Sequence, residues 1–265
     1  MSDRLPVRKT YKLFVGGVFP RSESGRTLEV EGYNIARASR KDAREAVVAA
    51  RKAVAGWSGA TAYNRGQVLY RLAETMETRT DALAAASSGR REVARAIDRV
   101  VWYAGWADKL AQVLGSSNPV AGPYFNFTLP EPTGVVAVIA PDEPALDGLV
   151  SRLVPALVGG NAVVVVASEP HPLAAIELAE AVATSDVPAG VVNVLTGLRA
   201  ELAPVLAGHM DVNAIDVTGA DGDRAALEEL AAENVKRVVR AKEAQSPWEI
   251  ASFMELKTVW HPIGR

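Results

Sequence analysis

Few side chains of this 265-residue sequence are of a type and spacing that could do covalent chemistry. It contains no cysteine, which excludes thiol nucleophiles, thiolate metal sites and disulfides within it. His171, His209 and His261 lie far apart, and no His/Asp/Glu cluster has metal-ligand spacing. His171, just before Pro172, and His209, just after Gly208, read instead as caps at helix ends. Neither a G-x-S-x-G elbow nor a P-loop occurs. The remaining candidates are the adjacent carboxylates Asp142 and Glu143, which as a pair could exchange a proton but in a Pro-bounded loop read as solvated. Further polar residues follow apolar runs at Ser168-Glu169, Thr196-Gly197 and Thr218-Gly219.

Those residues need strands to hold them. Val135–Ala140 and Ala162–Ala167 are short β-branched runs bounded by Pro, Gly, Asn or Ser, and they read as buried strands. Between them Leu146, Leu149, Val150, Leu153 and Leu157 recur at helical spacing over Ala145–Leu157. Helix Pro172–Thr184, strand Gly190–Leu195, helix Ala200–Ala207, strand Ala214–Val217, helix Asp223–Glu233 and strand Val235–Val239 continue the alternation. The fold class expected is α/β, a doubly wound Rossmann-like parallel sheet with helices on both faces. Ligands of such sheets sit at the carboxyl ends of the strands, here Ala140–Glu143, Ala167–Glu169, Thr196–Gly197 and Thr218–Ala220.

Before this sheet an N-terminal helical segment is expected. Tyr11–Phe19 reads as a strand or hairpin arm around Gly16-Gly17 and Thr27–Tyr33 as a second extended piece, followed by helices over Arg40–Val54 (N-cap Ser39), Thr61–Ala85 and Arg90–Leu114. Trp102, Tyr103 and Trp106 ride beside the stripe of the third helix and read as packing. Gly115–Pro123 is a loop, and Tyr124–Leu129 alternates as an exposed strand or arm. At the far end Ser246-Pro247-Trp248 reads as a breaker. Phe253–Trp260 then alternates as one strand with Met254, Leu256, Thr258 and Trp260 on one face.

The 31 acidic against 29 basic residues give a formal charge of −2, which points to neither a nucleic-acid nor a membrane partner. Basic clusters at Arg37–Arg44 and Lys236–Lys242 read as solvated faces. No apolar run approaches the roughly 18 residues of a membrane helix. Met1–Thr10 is polar and is no signal peptide, so a soluble cytoplasmic protein is expected.

E-P-T-G-V-V-A-V-I-A-P at Glu131–Pro141, P-A-L-V-G-G-N-A-V-V at Pro155–Val164, P-A-G-V-V-N-V-L-T-G at Pro188–Gly197, V-T-G at Val217–Gly219, and F-M-E-L-K-T-V-W at Phe253–Trp260 together resemble the aldehyde dehydrogenase superfamily. The resemblance implies an NAD(P)-binding-like domain over 1–123 and 135–245. It also implies a small β oligomerisation arm over 124–134 and 246–265, with Tyr124, Phe125, Phe127, Met254, Leu256, Val259 and Trp260 as its contacts. In dehydrogenases of this family that arm pairs with a neighbouring subunit.

The departures from the family pattern fall on its chemistry. Where the family places the Asn that helps form its oxyanion hole, this sequence has Glu143, an acceptor where a donor is needed. Ala241, within Arg240-Ala-Lys-Glu-Ala, stands at the general-base Glu, and the nucleophilic cysteine with its catalytic domain is expected to be absent. The residues that the resemblance would place on a cofactor are Ser168, Glu169, Gly197, Thr218 and Gly219. Around them the ribose-binding Lys is replaced by Val166, a Gly after Thr196-Gly197 by Leu198-Arg199, and the glycine of the phosphate-binding helix by Arg224, beside Asp221 and Asp223. No cofactor is therefore expected, NAD or NADP being the only candidates. The expected function is that of a catalytically inactive family member, a structural or regulatory subunit that assembles with itself or with a full-length aldehyde dehydrogenase. The alternative is a nucleotide-binding accessory subunit of a composite aldehyde-oxidising dehydrogenase.

Overall fold

The computed structural model describes residues 9–241 and 245–264. Most of Met1–Thr10, Lys242 of the second basic cluster and the last residues of Arg240–Ala244 lie outside the described residues. The N-terminal part begins with short strands β1 (Thr10–Tyr11), β2 (Thr27–Val30) and β3 (Tyr33–Ala36), which form a small sheet in the order β1-β3-β2. Helices α1 (Arg40–Gly59), α2 (Ala62–Thr78), α3 (Thr80–Ala85), α4 (Arg90–Ala104) and α5 (Leu110–Leu114) follow. Next come β4 (Ser116–Asn118), β5 (Tyr124–Pro132), β6 (Val135–Ile139), α6 (Ala145–Val158), β7 (Ala162–Val166), α7 (Pro172–Ala183) and β8 (Val192–Leu195). The chain continues through α8 (Arg199–Ala207), β9 (Ala214–Asp216), α9 (Arg224–Ala232), β10 (Arg237–Val239), α10 (Pro247–Ala251) and β11 (Met254–Pro262).

The central sheet has five parallel strands in the order β10-β9-β6-β7-β8. Strands β6 and β7 are apolar at every position because both of their faces are covered. Val136, Val138, Val163 and Val165 pack into one core with residues of α2, α4, α6 and α7. Val135, Ala137, Ile139, Val164 and Val166 pack on the opposite face with residues of α1, α8 and α9. The sheet order doubles back between β6 and β9, the switch point at which such folds open a crevice. At the other edge Phe14 and Val194 exchange backbone hydrogen bonds of 3.0 and 2.6 Å, so the N-terminal segment covers β8.

A second three-stranded sheet, β11-β5-β4, is antiparallel, with β5 and β11 paired from Met254↔Pro132 to Pro262↔Tyr124. Asn161, fully buried in the turn before β7, fastens it to the core. Its Oδ1 accepts from Gly134 N at 2.8 Å, and its Nδ2 donates to the carbonyls of Ala156 at 2.9 Å and Phe253 at 3.0 Å. One side chain thereby joins the end of α6, the start of β6 and the start of β11.

The structure corrects the expected elements in six places. Thr61–Ala85 is two helices, broken at Arg79, and Arg90–Leu114 is also two, broken after Ala104. Thr27–Tyr33 is not one extended piece: Glu31 and Gly32 take positive φ values of 51° and 78° and turn β2 back onto β3. Gly115–Pro123 contains β4, which pairs with β5. Val235 precedes β10, and Ser246-Pro247 starts a helix, Ser246 Oγ accepting from Trp248 N with Pro247 at the first helical position. Among the described residues no helix is long and apolar enough to cross a membrane.

Lys236 is buried below β10, its ammonium donating to the carbonyls of His209 and Val212. Burial pushes its pKa down from 10.5 to about 8. Between those values the unfolded chain holds the extra proton, so stability is expected to rise as pH goes from 8 towards 10.5 and to carry the full cost of the buried charge below 8. Urea titrations at pH 7.5 and 9.5 check this, because Lys236→Met should remove that part of the rise.

Candidate functional site

The strand-end residues singled out from the sequence do come together at the carboxyl edge of the sheet, but on one another. Ser168, buried after β7, donates through Oγ to Asp142 Oδ1 at 2.8 Å. Arg199, at the start of α8, reaches the same carboxylate oxygen at 2.7 Å and the carbonyl of Ala140 at 3.3 Å. Glu169 accepts the backbone N–H of Arg199, using its carboxylate as the cap of α8. Asp142, still 43% exposed at the side chain, is thus tied to a cation and a hydroxyl as well as meeting solvent. Its neighbour Glu143 is 81% exposed at the side chain, with His171 3.7 Å away. His171 itself stands between Glu31 and Glu143. It occupies the position before α7 without a side-chain cap bond, so the capping role expected of it is corrected. His209, by contrast, accepts from Asp211 N through Nδ1 at 3.1 Å.

The other side of the switch point is closed by backbone. Gly219 donates to the carbonyl of Ile139 at 3.2 Å, and a Cβ on Gly219 would lie 2.2 Å from the Ala140 oxygen. Only glycine allows the turn after β9 to lie this close to the end of β6. Thr218 donates its N–H to Asp216 Oδ1 at 2.8 Å and accepts the N–H of Ala241 at 2.9 Å. Gly197 packs against the backbone of Ala38. In a Rossmann fold the first helix of the sheet offers its N-terminus to a pyrophosphate. Here the buried Glu92, from the first turn of α4, takes that position: its Oε1 accepts from Leu146 N at 2.7 Å and Asp147 N at 3.0 Å, and its Oε2 from Ser88 N at 2.8 Å. Beside it Arg99 and Asp147 form a largely buried ion pair at 2.7 Å.

A third buried cluster lies between the sheet and the ribbon. Arg152 on α6, 1% exposed, pairs through Nε with Asp216 Oδ2 at 2.8 Å and through Nη2 with Glu249 Oε2 of α10 at 2.7 Å. Burial would lower its pKa, but the two carboxylates outweigh that and hold the guanidinium above its ordinary value. For Tyr103, whose hydroxyl accepts from Ser246 N, burial acts the other way and raises the pKa. Glu92, Arg99 and Arg152 were not singled out in the sequence. For Glu92 and Arg99 the available signal was their place on α4, one and two positions from Val93 and Ile97 in the apolar stripe.

The proposed arm residues divide between two faces of the β5–β11 ribbon. Tyr124, Leu256 and Trp260 share one, with the rings of Tyr124 and Trp260 edge-on at 5.9 Å. Phe125, Phe127 and Val259 share the other, where the two phenylalanine rings lie 5.3 Å apart. Met254 is a correction to the set of contacts: it is buried in the main core at the root of β11. Trp260 and Leu256 remain 58% and 60% exposed, and Tyr124, Phe125, Leu129 and Ile263 are also exposed.

A five-stranded parallel sheet of this order, with a polar cluster across its switch point, defines a Rossmann-type α/β fold. The chain belongs to the aldehyde dehydrogenase family, whose model matches residues 27–263. It is 32% identical over 257 residues to aldehyde dehydrogenase, cytosolic 1, of Elephantulus edwardii, covering 89% of this chain and 51% of that protein. It is equally 32% identical over 257 residues to the putative aldehyde dehydrogenase DhaS of Bacillus subtilis, covering 90% and 51%. Among solved structures, HpcC of Thermus thermophilus superposes with a TM-score of 0.83 at 29% identity, over 88% of this chain and 48% of that one. The chain thus spans about half the length of the relatives it matches.

Proposed function

We propose that this chain is a catalytically inactive member of the aldehyde dehydrogenase family that serves as a structural or regulatory subunit. It assembles through the β5–β11 ribbon with itself or with a full-length aldehyde dehydrogenase, and it works in the cytoplasm. The observation that carries this reading is the ribbon. It is anchored to the core by Asn161 and carries exposed Tyr124, Phe125, Leu129, Leu256 and Trp260 on its two faces. An exposed strand edge with aromatic side chains is a liability unless another chain covers it. The 124–134 and 246–265 segments act as the arm, and 1–123 with 135–245 act as its scaffold.

The inactivity rests on what stands at the reactive positions. These residues include no thiol, Glu143 offers a carboxylate in place of an amide donor, and Ala241 cannot act as a base. The absence of a cofactor is supported by the strand-end cluster, where Arg199, Asp142, Ser168 and Glu169 satisfy one another. Any aldehyde oxidation belongs to the partner. Co-production with a full-length family member, followed by native mass measurement, tests the assembly. Dimers or mixed complexes are expected, and a persistent monomer that captures no such partner sinks the reading. Calorimetric titration with NAD and NADP separates it from a nucleotide-binding accessory subunit, which requires saturable heat at millimolar cofactor.

A further inference from the structure

The Arg37–Arg44 cluster, expected as a solvated face, lines a groove of about 650 Å³ between the Ser22–Arg26 turn, the start of α1 and the start of α8. Five cations converge on it from two segments: Arg26 from the turn before β2, and Arg37, Arg40, Lys41 and Arg44 from the approach and first turns of α1. Two carboxylates share the groove. Glu201 pairs with Arg37, and Glu23 lies 3.8 Å from Lys41. Five positive against two negative side chains leave a local excess of three, in a chain whose formal charge is −2. Among the described residues Arg26, Arg40 and Arg44 form no salt bridge.

The placement of these cations runs against local preference. Arg40, Lys41 and Arg44 sit in the first turns of a 20-residue helix, whose dipole favours anions there. The N–H groups of Lys41 and Asp42 are already taken by Ser39 Oγ, and buried Asp42 accepts from Ser39 N, Glu23 N and Ser22 Oγ. This capping box fixes the Ser22–Arg26 turn against the helix and leaves the guanidinium groups to meet whatever enters the groove. Arginine forks suit phosphate oxygens, which they bind in pairs of hydrogen bonds. A lone phosphate would engage only part of a groove this wide.

We propose that this groove binds a small molecule bearing a free terminal chain of two or more linked phosphates, which an internal pyrophosphate such as that of NAD or NADP does not offer, with Arg26, Arg40 and Arg44 as its principal contacts. The groove shares no residue with the β5–β11 ribbon or with the Asp142–Arg199 cluster, so this inference does not depend on the assembly reading. Calorimetric titration of the full chain at low salt, with inorganic tripolyphosphate in one arm and ATP in the other, tests it. Saturable binding is expected in the tripolyphosphate arm, weakening as salt is raised and at least tenfold weaker in R26Q/R44Q. Equal affinity for ATP makes the phosphate chain the whole recognition element, and tighter ATP binding adds contacts from the nucleoside. Arg40→Gln serves as an independent second variant, and melting temperatures of both variants check that the fold is kept. Absence of saturable tripolyphosphate binding, or binding unchanged in both variants, overturns the proposal.

Discussion

Replacing Arg152 with alanine is expected to cost about 3–5 kcal/mol, because it removes the cation that two buried carboxylates share. Asp216 is fully buried and Glu249 nearly so, and both look to the same guanidinium. For a chain of this size that loss corresponds to a fall in melting temperature on the order of 10 °C. Calorimetric melting measures it directly. The triple variant R152M/D216N/E249Q, which leaves no uncompensated charge in the core, should recover most of the loss. If Arg152→Ala melts within a degree or two of the native chain, the cluster is not the tie between sheet and α10 that the geometry indicates.

A second loss is expected at Glu92. Its carboxylate satisfies three backbone N–H groups, two at the otherwise bare start of α6 and one at Ser88. Glu92→Ala leaves all three buried or partly buried donors unpaired and is expected to cost about 3 kcal/mol, since bonds to a charged acceptor exceed ordinary ones. Glu92→Gln keeps one acceptor oxygen for α6 and should lose roughly half as much. Urea unfolding with an unchanged m-value distinguishes a stability loss from a change of unfolded state. The same bond bears on ligand binding. A Rossmann helix that receives a negatively charged side chain of its own chain has no bare N-terminus left for a pyrophosphate.

The core of the fold was legible in the sequence because its signals are local. Val135–Ala140 and Ala162–Ala167 announce a doubly covered sheet, and the alternation of apolar runs with helical stripes gives the strand and helix order from residue 133 onward. The breaks were harder. Leu110 is buried like Val100 and Tyr103 before it, so the apolar stripe of α4 runs on through Gly105 while the backbone turns. Periodicity alone cannot register that turn. Ser246-Pro247 carries the residues of a helix start as well as those of a breaker, and only the buried Ile250 and Phe253 behind it decide between them.

The candidate site was legible by place but not by partner. Ser168, Glu169, Gly197, Thr218 and Gly219 could be located at strand ends from the sheet order alone. That Glu169 caps α8 and that Arg199 turns back onto Asp142 depends on pairings across 30 and 57 residues. No local pattern encodes such distances. The arm shows the same limit: alternation placed Met254, Leu256 and Trp260 on one face, but not the fact that Met254 is swallowed by the core while the other two stay in solvent.

The proposed assembly makes the β5–β11 ribbon the surface that meets another subunit. Native mass measurement on L256E/W260E, beside the unaltered chain, tests it most directly, because both side chains are more than half exposed and neither is part of the core. The unaltered chain is expected to form dimers or mixed complexes with a full-length aldehyde dehydrogenase, and the double variant to be monomeric with its melting temperature essentially kept. Assembly that persists unchanged in the double variant would contradict this role of the ribbon.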